Sequence, residues 1–285
     1  MRRIWLITGA SSGFGRALAE AVLGRGDYVV IGARRTDPLK RVAALAPDRA
    51  LAIKLDVTEA SDRKQAVAAT LQRFGRIDVL ANIAGRGSLG AAEEFSAEQL
   101  REQLEVNFFA AAEMTRLVLP EMRSKSNGHI LQMTSIGGLV AFQGFAPYCA
   151  SKFALEGWSE ALREEISSLW IKVTIVEPGA FRTEFAGLNN MRPERRLAAY
   201  RAVIDPVEKY LYGGDGQQPG DPKMAAVAMI AAVESSEPPF RLILGSDAIE
   251  LLERKKAALD SDLARWGQVG IETKFEDTNL KKIGS

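Results

Sequence analysis

Short apolar segments alternate along the chain with longer segments of helical periodicity. The apolar segments are rich in β-branched residues and predict strands at Ile4–Thr8, Tyr28–Ile31, Ala50–Leu55, Val79–Ile83, His129–Met133, Val173–Val176 and Arg241–Leu244. The periodic segments predict helices at about Gly13–Arg25, Ala60–Phe74, Ala97–Arg123, Tyr148–Leu169, Pro222–Ser235 and Ala248–Trp266. Because strand–helix alternation requires crossover connections, we expect a doubly wound α/β fold with a parallel sheet of about seven strands.

We expect one domain rather than two. Residues 1–245 are predicted to carry binding and catalysis, and residues 246–285 to add a C-terminal helix and tail to the same domain. Within it, the segment 183–222 is rich in Arg, Glu and Tyr and has no strand pattern. This segment is predicted to determine the substrate. Its apolar residues favour a bulky or amphipathic apolar molecule, and they are Phe185, Leu188, Met191, Tyr200, Tyr210 and Tyr212.

Charge and composition exclude several classes of function. The 285 residues include 37 basic and 36 acidic side chains without a basic block, which argues against a nucleic-acid or membrane-surface partner. Apolar runs are too short for a membrane span. Cys149 is the single cysteine, and no cluster of residues has metal-ligand spacing, so we expect a cytoplasmic protein without a metal. The single histidine, His129, is expected to be structural or solvated.

The first predicted strand runs directly into a glycine-containing turn and then into a helix. The turn reads Thr8-Gly9-Ala10-Ser11-Ser12-Gly13-Phe14-Gly15. Glycines here let a pyrophosphate approach the backbone, and the helix N-terminus offers unpaired N–H groups and partial positive charge. We therefore expect the dinucleotide-binding turn of a Rossmann-type domain. The alternative is a glycine-rich turn that binds nothing.

The end of the second strand indicates which dinucleotide binds. In a Rossmann unit an acidic residue roughly 20 positions beyond the glycines bonds the ribose 2′-OH of NAD, whereas a nearby Arg suits the 2′-phosphate of NADP. Ala33 occupies the acidic position here, and Arg34 and Arg35 follow it. A guanidinium can bind a phosphate with two parallel hydrogen bonds. The sequence therefore favours NADP(H) over NAD(H), although both arginines could also form a solvated strand end.

Tyr148 and Lys152 are four positions apart in a predicted helix and therefore share one of its faces. A phenol has an ordinary pKa near 10, and a neighbouring ammonium favours the phenolate, which would lower that pKa toward neutrality. Ser135 follows the strand His129–Met133, at the carboxyl edge where open α/β sheets bind ligands. Its hydroxyl could stabilise negative charge developing on a carbonyl oxygen.

These motifs together resemble those of the classical short-chain dehydrogenase/reductase family. The likeness lies in Thr8-Gly9-x-x-x-Gly13-x-Gly15 and in the set Ser135, Tyr148 and Lys152, and it spans about residues 4–183. It implies that Asn107 is the fourth catalytic residue, holding a water that relays protons from Lys152. It also implies cofactor contacts by Tyr148 and Lys152 and by Thr8, Gly9, Ser11, Ser12, Gly13, Phe14, Gly15, Arg34, Arg35, Asp56, Val57, Asn82, Ala84, Gly85, Pro178, Gly179, Phe181 and Thr183.

The expected activity is interconversion of a carbonyl and an alcohol by hydride transfer, with Tyr148 as general acid/base. Two alternatives stay open: a regulator that senses NADP(H) without turnover, and an epimerase or dehydratase on the same fold. The resemblance also implies a homodimer or homotetramer formed through the helices predicted at Ala97–Arg123 and Tyr148–Leu169. The substrate is a small carbonyl or alcohol of unknown identity.

Overall fold

The computed structural model describes residues 2–187 and 190–275. Their seven strands form one sheet in the order β3-β2-β1-β4-β5-β6-β7, and all neighbouring strands are parallel. The strands are β1 Ile4–Thr8, β2 Tyr28–Ala33, β3 Ala50–Lys54, β4 Val79–Asn82, β5 Gly128–Met133, β6 Ile171–Pro178 and β7 Arg241–Leu244. This is a single α/β domain with the strand order of a Rossmann fold, and it confirms the predicted fold class.

Nine α-helices lie within the described residues and connect the strands by crossovers. They are α1 Gly13–Gly24, α2 Thr36–Ala43, α3 Ala60–Phe74, α4 Ala97–Leu104, α5 Ala110–Lys125, α6 Ala146–Ile166, α7 Arg201–Gly213, α8 Pro222–Glu234 and α9 Ser246–Ile271. A π-helix, Glu105–Phe109, joins α4 to α5, and a 3₁₀-helix, Ile136–Gly138, follows β5.

The sheet is buried on both faces. Alternate residues of each strand point to opposite sides, so Ile7 packs with α1 and α8 in one cluster, whereas Leu6 packs with α5 and α6 in another. Both residues are completely buried. Burial on two faces explains why the strands are almost continuously apolar, which is the pattern that made them predictable.

Two predicted helices differ from the structure near the site. The helix expected over Ala97–Arg123 is divided by the π-helix and continues to Lys125, with Pro120 inside it. The helix expected to begin at Tyr148 begins at Ala146, because Pro147 has no N–H and fits the first turn. Tyr148 therefore lies inside the first turn of α6 rather than at its start.

The chain after β6 is more helical than its sequence suggests. Helix α7 lies within the segment 183–222, and α9 continues five residues beyond the predicted end at Trp266. The first turns of α9 pack beside β7, whereas Leu259, Leu263 and Trp266 are exposed. Of the predicted features, Leu188 and the tail residues 276–285 lie outside the described residues. None of the described helices is long and apolar enough to cross a membrane.

Candidate active site

A cavity of about 1230 Å³ opens at the carboxyl edge of the sheet, where the strand order reverses between β1 and β4. Ligands bind at this position in open α/β sheets. Of the predicted site residues, all line the cavity except four, which are Thr8, Gly15, Asn82 and Asn107. The structure thus brings together residues from the ends of six strands that are up to about 170 positions apart in the sequence.

The glycine turn after β1 is shaped by close backbone contacts. Gly9 has φ +68° and Gly13 has φ +52°, which are backbone angles that residues other than glycine rarely adopt. A Cβ atom at Gly9 would lie 2.7 Å from the backbone of Ala84, and one at Gly15 would lie 2.5 Å from the carbonyl oxygen of Gly9. Helix α1 begins at Gly13 without a side-chain cap and without an acidic residue in its first turn. Its free N–H groups and positive end therefore suit a pyrophosphate.

Thr8 and Asn82 lie behind the cavity wall and hold it together. The Thr8 hydroxyl accepts hydrogen bonds from the backbone N–H groups of Ile83 (3.0 Å) and Ala84 (3.1 Å), which fixes the β4 loop to β1. The Asn82 amide donates to Gln132 Oε1 at 3.1 Å and to Thr115 Oγ1 at 3.0 Å. Asn82 was predicted to contact the cofactor, but it is 3 % exposed and its side-chain N–H groups are engaged with β5 and α5. The structure therefore supports an indirect role.

Positive charge is concentrated beside the end of β2. Arg34 and Arg35 both line the cavity, and Arg35 forms an ion pair of 2.9 Å with Glu184. Asp56, at the end of β3, faces Arg34. Burial acts to raise the pKa of Asp56, but hydrogen bonds from Thr58 and the charges of Arg34 and Lys54 together hold it below its ordinary value. Arg34 makes no ion pair within 4.0 Å among the described residues, so its guanidinium is available to a ligand.

Ser135, Tyr148 and Lys152 all line the cavity. Tyr148 is 8 % exposed and shares a hydrogen bond with Ser135, whose hydroxyl also donates to the Pro178 carbonyl at 3.4 Å. Lys152 Nζ lies 5.9 Å from the centroid of the Tyr148 ring and donates to the Met133 carbonyl at 2.8 Å. A hydroxyl, a phenol and an amine thus line one cavity, and these are groups that carbonyl chemistry uses.

Burial dominates the ionisation of this group. It raises the pKa of Tyr148 well above its ordinary value, and the hydrogen bond to Ser135 opposes that rise only in part. Burial also lowers the pKa of Lys152 to about 8, while the negative charge of Glu156 acts to raise it. The lowered tyrosine pKa expected from the sequence is therefore not found. Tyr148 is protonated at neutral pH, and Lys152 is largely an ammonium.

Asn107 does not line the cavity but lies directly behind it, in the π-helix. Its side chain is 1 % exposed, accepts from the N–H of Arg86 at 2.9 Å and donates to the Ser151 hydroxyl at 2.9 Å. A Cβ atom at Gly85 would lie 3.0 Å from Asn107 Oδ1 and 3.5 Å from Lys152 Nζ. Asn107 and Lys152 thus approach the same small space beside Gly85.

The segment after β6 closes the cavity opposite the glycine turn. Phe181 packs against Phe14 with ring centroids 5.1 Å apart, and Thr183 lies against Gly13. Asp247, from the first turn of α9, accepts from the N–H of Ala180 at 2.7 Å and fills the space where a side chain at Gly179 would be. Sequence reasoning missed Asp247. A signal in the sequence was the acidic residue immediately before the last predicted helix, because such residues lie near free N–H groups at a helix N-terminus.

The part of the wall beside Tyr148 is apolar, whereas Arg86, Arg101, Glu102 and Glu105 line another part. Rings flank the phenol of Tyr148, with centroid distances of 6.4 Å to Phe145 and 5.2 Å to Phe185. Of the apolar residues predicted in segment 183–222, Phe185 and Tyr210 line the cavity, whereas Met191, Tyr200 and Tyr212 do not. Met191 is buried beside Ser88, and Tyr200 donates to Glu93. Further lining residues are Phe142, Val207, Leu211 and Leu251.

Comparisons with known proteins agree with this architecture. The family model of the short chain dehydrogenases matches residues 3–193. The chain is 35 % identical over 271 residues to a 3-ketodihydrosphingosine reductase of Bacteroides thetaiotaomicron, covering 93 % of this chain and 96 % of the relative. It is 43 % identical to a short-chain dehydrogenase of Streptomyces avermitilis, with a TM-score of 0.89 over 96 % of this chain and 100 % of the other.

A third similar protein is the 3-ketoacyl-(acyl-carrier-protein) reductase of Brucella melitensis, whose structure was solved in complex with NADH. It is 27 % identical, with a TM-score of 0.72 over 85 % of this chain and 95 % of the other. Each of these proteins is named as a reductase or a dehydrogenase. The chain therefore belongs to the short-chain dehydrogenase family and is an oxidoreductase of that family.

Proposed function

We propose that this protein is an NADP(H)-dependent oxidoreductase that interconverts a carbonyl and an alcohol, with Tyr148 as general acid/base. The observation that carries the proposal is the convergence of Ser135, Tyr148 and Lys152 in one cavity with the glycine turn of β1. The cavity fits a dinucleotide because Gly9 and Gly15 leave space that Cβ atoms would fill, and because the N-terminus of α1 has no side-chain cap.

Each residue of the site has a separate role in the proposed reaction. When bound, the nicotinamide cofactor supplies the hydride for reduction or accepts it in oxidation. Ser135 donates a hydrogen bond to the substrate oxygen and stabilises the negative charge that develops there. Tyr148 then transfers its phenolic proton to that oxygen, and its raised pKa ensures that the proton is present at neutral pH. The Lys152 ammonium stabilises the resulting phenolate. Asn107 holds a water that relays a proton back to Tyr148 by way of Lys152.

The preference for NADP(H) rests on the end of β2. Arg34 lines the cavity and makes no ion pair within the described residues, and Ala33 stands where an acidic residue would bind the ribose 2′-OH of NAD. We assign Arg34 rather than Arg35 as the main phosphate ligand, because Arg35 is paired with Glu184. The adenosine end would then lie between Arg34 and the residues Asp56 and Val57.

We infer a bulky apolar substrate from the wall around Tyr148. Phe142, Phe145, Phe185, Val207, Leu211 and Leu251 line that side. The similarity to a relative named for the reduction of 3-ketodihydrosphingosine also supports a ketone. For a series of ketones of increasing chain length, kcat/KM should rise by about threefold per added methylene until the wall is covered. A flat or falling series would exclude an apolar binding wall.

One screen tests the reaction class against its alternatives. A panel of ketones, aldehydes and alcohols is mixed with NADPH or NADP, and in parallel with NADH or NAD, and absorbance is followed at 340 nm. Net NADPH consumption would exclude both a regulator without turnover and an epimerase. A dehydratase would change the substrate without changing that absorbance. A clear preference for NADH would overturn the assignment of Arg34.

We also propose a homodimer or homotetramer that assembles through α5 and α6 in the reducing cytoplasm. Phe153 on α6 and Phe109, immediately before α5, are 41 % and 48 % exposed and offer apolar surface on these elements. The buried free thiol of Cys149 agrees with a reducing compartment. Light scattering would measure the oligomer, and Phe153→Glu should dissociate it. A wild-type monomer would contradict the proposal.

A further inference from the structure

Three charged residues form a buried network behind Ser135 and Lys152. Glu156 on α6 is 4 % exposed, Glu177 at the end of β6 is completely buried, and Arg241 at the start of β7 lies between them. Arg241 donates to Glu156 at 2.6 Å and also to Glu177. None of the three residues lines the cavity. We call Glu156, Glu177 and Arg241 the carboxylate network.

The network contains more acidic groups than its single cation can neutralise. Glu156 and Glu177 both accept from the same nitrogen of Arg241, so the two carboxyl groups lie close together around one cation. Burial, followed by the negative charge of Glu156, raises the pKa of Glu177 to about 7. Oε1 of Glu156 and Oε2 of Glu177 are buried and have no hydrogen-bond partner within the described structure, which favours a proton on one of the two carboxyl groups.

The network contacts the supports of Ser135 on both sides. Glu177 directly precedes Pro178, whose carbonyl accepts from the Ser135 hydroxyl. Glu156 lies beside the hydroxyl of Thr134, which directly precedes Ser135. A Cβ atom at Gly138 would lie 2.9 Å from Glu156 Cγ, so the 3₁₀-helix after Ser135 rests on this side chain. Moving either carboxylate would therefore move the serine.

The network also acts on Lys152. Glu156 is one helical turn beyond Lys152 on α6, and its negative charge raises the pKa of the ammonium against the effect of burial. The charged groups that face one another here are Lys152, Glu156 and Glu160 from α6, Glu177 from β6 and Arg241 from β7. Glu160 pairs with the outer side of Arg241 and is 57 % exposed, so water screens its charge.

We propose that the carboxylate network is a positioning device for the reaction: it fixes Ser135 and keeps Lys152 in its ammonium form. This inference rests on the proposed function. It requires no bond to be made or broken in the network other than the loss of one carboxyl proton as the pH rises. When that proton leaves, the network gains a negative charge beside Lys152, and the ammonium persists to a higher pH.

The test compares Glu156→Gln and Glu177→Gln with the matched control Glu160→Gln. Each change removes one carboxylate charge and preserves side-chain size, and the first two remove it from the buried side of Arg241. We expect both buried variants to shift the alkaline limb of the pH profile of kcat to lower pH, with a loss of at least about tenfold at about pH 9. The control should follow the wild type.

Two measurements separate positioning from folding. Melting temperatures and the Kd for NADPH are determined for each variant, and a purely structural role would lower kcat equally at every pH. Superimposable pH profiles for wild type, Glu156→Gln and Glu177→Gln would overturn the inference, as would an equal shift in Glu160→Gln. If Glu156→Gln does not fold, Glu177→Gln carries the test, because Gln resembles the protonated carboxyl. Absence of wild-type turnover would instead refute the proposed function.

Discussion

In the proposed function, Arg34 is the residue that selects NADP(H) over NAD(H). Replacing it with Ala removes a charge-assisted contact worth about 1.5–3 kcal/mol. The Kd for NADPH should therefore rise by about 10- to 100-fold, while the Kd for NADH should change by less than about threefold. Titration of each nucleotide against the protein, followed by fluorescence, measures both constants.

Arg41 offers a control for Arg34 because it lies in the last turn of α2, exposed and away from the cavity. Arg41→Ala should leave both constants unchanged. An equal loss of NADPH and NADH affinity in Arg34→Ala would show that the guanidinium supports the cavity wall and does not bind the 2′-phosphate.

His129 should make the fold sensitive to acid. It is buried and shares a hydrogen bond of 2.9 Å with Thr174. Burial, aided by the charges of Lys172 and Arg3, lowers its pKa to about 3. Because the unfolded histidine takes up a proton near its ordinary pKa, stability falls as the pH drops below about 6.5 and continues to fall toward about 3. This structural role agrees with the prediction from the sequence.

A comparison of His129→Gln with the wild type isolates this effect from the titration of carboxyl groups. Between about pH 7 and about pH 5, the wild type should lose about 2 kcal/mol more free energy of unfolding than the variant. Urea unfolding at the two pH values measures the difference. Equal losses would mean that His129 accepts a proton within the folded protein.

At the scale of elements, α9 supports the cavity through Asp247. Asp247→Ala would leave the N–H of Ala180 without its partner and open space beside Gly179. We expect a loss of about 1–3 kcal/mol in the free energy of unfolding, and weaker cofactor binding, because this segment forms one wall. Thermal unfolding and nucleotide titration measure the two effects.

Asp260 provides the matched control on the exposed part of the same helix. Asp260→Ala should change neither the melting temperature nor the Kd for NADPH. If Asp247→Ala behaved in the same way, the contact between α9 and the Pro178 segment would have no energetic importance.

A helix or strand could be predicted from the sequence when its pattern lies within the segment itself. The strands were predictable because burial on two faces leaves a continuous apolar run in the sequence. The π-helix around Asn107 was not, since one extra residue in a helical turn is imposed by tertiary packing and leaves no mark on the periodicity. The helix α7 was missed because Pro206 and several charged residues obscure its pattern.

The site residues also divide into those that a local sequence pattern predicts and those that only the folded structure brings into place. The glycine turn and the spacing of Tyr148 and Lys152 are local patterns, and both predicted residues that line the cavity. Asp247 and Arg241 act on residues more than 60 positions earlier, and only the register of β6 with β7 brings them there. Asn82 was placed in the cavity by resemblance, but the amide groups around it could be identified only from the packed structure.

At the scale of the whole molecule, one cavity spans the region from the charged end of β2 to the aromatic wall beside α7. Tyr148 lies between these two ends, with its phenol flanked by rings on one side and joined to Ser135 on the other. This arrangement explains how a fold shared with many dehydrogenases can bind one common cofactor and still select its own substrate. The family and the fold are established by the comparisons, whereas the reaction depends on what Tyr148 does.

The most direct measurement is NADPH oxidation at 340 nm by Tyr148→Phe, with a ketone that the wild type reduces. Loss of the phenolic proton should lower kcat by at least about 1000-fold, while the Kd for NADPH stays within about threefold of the wild type. Tyr28→Phe is the control, because that ring packs against Phe74 away from the cavity and should retain full activity. Appreciable turnover by Tyr148→Phe would contradict the assignment of Tyr148 as the proton donor.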